Sequence, residues 1–120
     1  MKEAIFYETQ RGEAPVLEFL DGLDKKMQAK VYRALNLLEQ YGEHLHRPFV
    51  DHLRGPIKEL RIRRASDNIR ILFFFFRGKY VVLAHVIRKQ TMAVGAHDID
   101  IAEDRMKDFL TRYQKGEIKL

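Results

Sequence analysis

The chain has 120 residues, 46% of them hydrophobic, and a formal net charge of +5. That length predicts one domain over residues 1–120 with enough apolar side chains for a buried core. The chain has no cysteine, which excludes disulfides and thiolate–metal sites. Its longest apolar run, residues 71–76, is far short of a membrane span, and the first fifteen residues lack the apolar segment of a signal peptide. A cytoplasmic protein with no membrane contact is therefore expected.

In chain order, Ala4, Ile5, Phe6 and Tyr7 form a short apolar run that predicts a first strand. Pro15 suits the first turn of a helix, where its missing N–H costs nothing, and Val16, Phe19, Leu20 and Leu23 follow at helical spacing. Gly22, Leu23 and Asp24 break that helix. A longer one is predicted over Lys25–Tyr41, with Met27, Val31, Ala34, Leu35 and Leu38 as its apolar stripe and Gly42 in the place of a C-terminal glycine. The two should form a hairpin on one face of a sheet. Residues 43–55 read as a connector. It holds His44, His46 and His52, whose spacing matches no metal-site pattern, so a solvated loop and no metal site are expected.

Three β-prone runs follow, separated by Ala65-Ser66-Asp67-Asn68 and Arg77-Gly78-Lys79, and read as an antiparallel meander. Strand 57–64 places Leu60 and Ile62 on one face, towards the helices, and Glu59, Arg61 and Arg63 on an open face. Strand 69–76 is apolar at every position except Arg70, so both its faces should be covered and it should lie mid-sheet. Strand 80–88 is also apolar on both faces, with His85 in line with Val81, Leu83 and Ile87. Residues 90–97 are expected to be a loop. Asp98 or Asp100 caps a last helix carrying Ala102, Met106, Phe109, Leu110 and Tyr113, which ends at Gly116. The fold class is α+β, in the order β-α-α-β-β-β-α, with the antiparallel sheet packed by the helical hairpin and the C-terminal helix.

Charge is unevenly spread. Residues 57–89 hold nine basic and two acidic side chains, a net +7, so the remainder of the chain sums to −2. A basic sheet favours an acidic partner such as nucleic acid.

This order of elements resembles the RelE/ParE toxin superfamily of bacterial toxin–antitoxin pairs, and most of all its HigB-type, phage-derived Gp49-like branch. The resemblance is carried by Gly12 with Pro15-Val16-Leu17-Glu18-Phe19-Leu20, by Leu37-Leu38-Glu39-Gln40-Tyr41-Gly42, and by His52-Leu53-Arg54-Gly55-Pro56-Ile57-Lys58-Glu59-Leu60-Arg61. Asn68-Ile69-Arg70-Ile71-Leu72-Phe73 and Val81-Val82-Leu83-Ala84-His85-Val86-Ile87-Arg88-Lys89 complete it. It spans residues 5–115. The chain departs from the family pattern at Gln90-Thr91-Met92-Ala93-Val94-Gly95, where relatives carry a Thr-Gln-Lys-Thr-Pro-like segment.

The resemblance implies a metal-independent, cofactor-free endoribonuclease that cuts mRNA on the ribosome. Its implied partner is a helix-turn-helix antitoxin of the HigA type, in a homodimer or a toxin–antitoxin heterotetramer. Such chemistry uses the 2′-OH of RNA as nucleophile. The protein must hold the RNA in line and stabilise the charge that grows on the phosphate. Arginine suits both tasks, because its planar fork binds two phosphate oxygens and stays protonated. The catalytic candidates are Arg70, Lys89, Arg88 and His85; the phosphate-binding candidates are Lys58, Arg61, Arg63 and Arg64. His85 has the pKa range for proton transfer but also fits a core position. Glu59 is either a base or the ion-pair partner of Arg61. Two other readings compete: a ParE-like inhibitor of DNA gyrase without nuclease activity, and a decayed toxin that keeps only antitoxin binding.

Overall fold

A computed structural model describes residues 1–89 and 93–120, with Lys89 described as strand backbone only. The elements are β1 (Glu3–Phe6), α1 (Pro15–Asp21), α2 (Lys25–Tyr41), a 3-10 turn at Gly42–His44, β2 (Val50–Arg54), β3 (Ile57–Arg64), β4 (Asp67–Phe76), β5 (Tyr80–Lys89) and α3 (Ala96–Gln114). The fold is α+β, as expected. The five strands form one sheet in the order β1-β5-β4-β3-β2.

Two features of the sheet differ from expectation. It is mixed, because β1 runs parallel to β5, whose doubly apolar sequence needs a neighbour on each side. The expected connector also contains β2, which pairs antiparallel with β3 through Val50↔Leu60 and Asp51↔Glu59. Only Val50 and Leu53 are apolar in β2, and a register shift between His52 and Arg54 breaks their alternation.

Helices cover both sheet faces. On one, Val16 and Leu20 of α1 and Met27, Val31, Leu35 and Leu38 of α2 meet Leu60, Ile62, Ile69, Ile71, Phe73, Val81 and Leu83. On the other, Ala102 and Phe109 of α3 meet Ile57, Leu72, Phe74, Val82 and Ala84. The Phe73–Phe76 run is core as expected: Phe74 and Phe76 stack edge-on against Phe109. Asp24 caps α2 by accepting the Met27 N–H at 2.8 Å. Gly42 ends α2 at φ +53°, where an added Cβ would lie 2.6 Å from Lys2 Cε.

The last helix begins at Ala96 behind Gly95, with no side-chain cap, rather than at an Asp98 or Asp100 cap. Asp98 sits in its first turn and is used on the sheet instead. Arg54 of β2 donates to Asp100 at 2.9 Å and to Glu103 at 3.0 Å, and Tyr7 donates to Asp108 at 2.5 Å. These contacts fix α3 across the sheet at both ends.

Candidate nucleic-acid interface

Strand register sorts the basic residues onto two faces. On β3 and β4, Arg61 lies opposite Arg70 and Arg63 opposite Asn68. Across β4, Arg70 lies opposite Ile87 and Asn68 opposite Lys89. Arg61, Arg63 and Arg70 therefore share the α3 face, within about 5 Å of their cross-strand neighbours, and Lys89 holds the position in line with Arg63. The side chain of Lys89 and residues 90–92, the first half of the 90–95 segment in which the chain departs from the family pattern, lie outside the described residues.

The remaining candidates do not join them. Lys58 lies opposite core Phe73, and Arg64 alternates with Arg63, so both belong to the helical-hairpin side. Arg88 is also there: it binds Asp67 through both ends of its guanidinium at 2.9 and 3.0 Å and lies 5.8 Å over the Phe19 ring. Arg88 is one residue from Lys89 in sequence, yet strand alternation separates it from Arg70.

Arg70 is 3% exposed, beneath the surface rather than at a solvated strand end. Its Nη1 donates to Glu59 Oε1 at 2.8 Å, and Arg61 Nε lies 3.5 Å from the same oxygen. Glu59 is 4% exposed, so one buried carboxylate gathers two arginines from adjacent strands. Of the two expectations for Glu59, the ion pair with Arg61 is present, and the closer partner is Arg70.

His85 lies on the α3 face too, opposite Leu72, and not in line with Val81 and Leu83. The cause is a bulge: Leu72 pairs with His85 and Phe73 with Leu83, which leaves Ala84 as an extra residue in β5. His85 Nε2 is 2.9 Å from Asp98 Oδ1, and Arg105 Nη1 is 3.3 Å from His85 Nδ1. Arginine only donates, so Nδ1 accepts and the proton sits on Nε2, pointing at Asp98. Burial holds the His85 pKa below its ordinary value, with the Arg105 charge adding to the effect and Asp98 opposing it. Asp98 stood out in the sequence only as a helix cap and Arg105 not at all, because nothing local marks a helix residue that meets a strand bulge. Two histidines of the expected connector turn to its backbone: His46 Nδ1 lies 3.3 Å from the Arg47 carbonyl oxygen and His52 Nε2 2.8 Å from that of Gly55. Among the described residues no group of three or more His, Asp or Glu is placed to hold a metal ion.

β2 pairs with β3 only as far as Leu60, after which Arg61 N–H donates to the Phe49 carbonyl at 2.8 Å. Beyond that point a cleft of about 600 Å³ opens along the β3 edge, bounded by α2 and by Pro48 and Phe49. Among the described residues its lining carries Lys30, Arg33, Arg61, Arg63 and Arg70, and no carboxylate. Lys30 and Arg33 lie outside the basic window of the sequence. The signal that identifies them is their spacing: Lys30, Arg33, Ala34 and Leu37 form a second stripe on α2, beside the core stripe.

A family of phage-derived proteins, the Gp49-like proteins (DUF891), matches residues 18–107. The chain belongs to that family. The Gp49-like region runs from α1 into α3, and so contains the cleft, the Glu59–Arg70 pair and the His85–Asp98–Arg105 cluster. The family is of the RelE toxin type, which points in general terms to the toxin of a toxin–antitoxin pair, with an antitoxin as partner. No curated protein matches the chain. Among the described residues no helix is long and apolar enough to cross a membrane.

Proposed function

We propose that this Gp49-like protein is a ribosome-associated mRNA endoribonuclease that acts in the cytoplasm and is restrained by a helix-turn-helix antitoxin. The observation that carries the reading is the cleft: five cationic side chains from α2, β3 and β4, with no carboxylate among its described lining residues, on a fold of the RelE type. A polyanion fits such a surface, and cleavage through the RNA 2′-OH asks no more of the protein than positioning and charge.

In this reading Arg61 and Arg63 grip the phosphates. Arg70 and Lys89 stabilise the charge that develops at the scissile phosphate. Glu59 pre-orients Arg70 and Arg61 before RNA arrives, which removes the entropy loss of ordering two long side chains on binding. Arg88 acts at a distance, bracing the β3–β4 turn through Asp67. His85 is neutral, with Nε2 carrying the proton, and would become a proton donor only if its bond to Asp98 opened.

The test is induced expression in a bacterium that lacks the antitoxin, with primer extension on abundant mRNAs. Codon-phased cuts are expected from the wild type. They should be lost in Arg61→Ala/Arg63→Ala and retained in Arg88→Lys. Growth arrest with intact mRNA would overturn the nuclease reading in favour of a target such as gyrase. Neither arrest nor cuts would point to a chain that keeps antitoxin binding alone.

A further inference from the structure

The cleft contains an exposed aromatic ring that phosphate binding does not need. Phe49 is 43% exposed, one of the few large apolar side chains at the surface among the described residues. It is not on a loose segment. Its N–H donates to the His46 carbonyl at 3.0 Å, and its own carbonyl accepts the Arg61 N–H at 2.8 Å. The backbone that carries the ring is thus held at a defined place on the wall of a cleft whose other walls carry Lys30 and Arg33 from α2 and Arg61 and Arg63 from β3. Asn68, with an amide that both donates and accepts, lines the same space.

Cations alone would serve a phosphate ion or an acidic peptide. An anchored aromatic face among cations serves a ligand that alternates charge with flat rings, which is a single-stranded nucleic acid. A duplex would hide its bases from such a ring. We propose that Phe49 is the stacking platform of a nucleotide subsite in which a base of single-stranded RNA lies on the ring and its flanking phosphates lie against Lys30 and Arg33. Phe49 lines the same cleft as Arg70, but its ring is exposed where the Glu59–Arg70 pair is buried, so it positions the strand rather than stabilising the reacting phosphate. The inference rests on the reading that the cleft takes RNA.

The test is fluorescence anisotropy on the purified protein with a labelled ten-nucleotide RNA and an abasic oligomer of the same length and charge. Phe49→Ala should weaken RNA binding by about tenfold, the scale of one base–aromatic stack, and leave the abasic oligomer unchanged. Phe49→Trp should retain RNA binding, which guards against a folding artefact. Lys30→Ala/Arg33→Ala should weaken both ligands and lower the slope of log affinity against log salt by roughly 1.4, about 0.7 for each phosphate of a single strand that is no longer neutralised. Equal binding of RNA by wild type and Phe49→Ala would overturn the subsite and leave the RNA reading standing. Failure of the wild type to bind either oligomer would overturn both. Displacement of the RNA by a glutamate-rich peptide that is itself insensitive to Phe49→Ala would overturn the subsite in favour of a protein ligand.

Discussion

Removing the Arg70 guanidinium tests the centre of the site directly. Arg70→Met keeps most of the side-chain length and deletes the charge. Glu59, 4% exposed, then loses its partner at 2.8 Å and keeps Arg61, whose Nε is 3.5 Å away. Breaking a buried pair from one side costs about 3–5 kcal/mol, because the surviving charge is left without compensation. Arg61 offsets part of that, so the expected loss is near the lower end, about 3 kcal/mol. At this chain length about 4 °C of Tm accompanies each kcal/mol, which gives a fall of roughly 12 °C. Urea unfolding followed by circular dichroism would measure the first quantity and a thermal melt the second. The double variant Glu59→Leu/Arg70→Met should recover to within about 1 kcal/mol of wild type or exceed it, since the desolvated charges are then both gone. It should nonetheless leave mRNA intact in cells. A loss below about 1 kcal/mol in Arg70→Met, or a double variant no more stable than the single, would refute the account of a buried, mutually compensating pair.

Two further outcomes are expected. His85 is held neutral in the fold, with a pKa below that of the unfolded chain, so the unfolded state takes up more protons as pH falls. Its contribution is complete above the unfolded pKa of about 6.5 and is lost as pH drops through the lower folded value. The urea midpoint should therefore decline from about pH 7 downwards, and His85→Gln should flatten that part of the profile; an unchanged slope would contradict the neutral assignment. Gly42→Ala should destabilise by about 1–3 kcal/mol, because φ +53° with ψ −128° is a region that side chains resist. The Lys2 chain end in its way donates to the Gly78 carbonyl at 2.7 Å and pairs with Glu43 at 3.0 Å, so moving it forfeits those contacts and puts the loss towards the upper end of that range; a loss below about 1 kcal/mol in chemical denaturation would refute the steric reading.

Much of this fold is legible along the chain because its strongest patterns are local. The stripe Met27, Val31, Leu35, Leu38 fits a helix and nothing else, and all four side chains are buried. The run from Ile69 to Phe76 admits only a strand covered on both faces, and it lies in the middle of the sheet. What the sequence conceals depends on partners far along the chain. β2 is a strand because β3 offers it an edge, not because Val50 and Leu53 alternate. The side of the sheet on which His85 falls turns on a single extra residue, Ala84, and period-two counting has no means of detecting a bulge between Leu83 and His85. The position of Arg70 was readable from the interruption it makes in an apolar run. Its burial was not, because the carboxylate that permits it comes from the preceding strand.

The charge count shows the same limit in another form. Nine basic residues in 57–89 suggest one continuous basic surface. Alternation divides them, so Lys58, Arg64 and Arg88 face the helical hairpin while Arg61, Arg63 and Arg70 face α3. Pairing then reduces their field: Asp67 neutralises Arg88, and Glu59 is shared by Arg70 and Arg61. The window's +7 therefore overstates what a polyanion would meet on either face. The cleft regains positive charge from Lys30 and Arg33 on α2, which belong to the part of the chain whose net charge is −2. A site of this kind is a property of where a helix face meets a sheet edge. Attraction between exposed charges fades over about 8–10 Å at physiological salt, so it is this convergence, and not the total, that would decide where a polyanion is held.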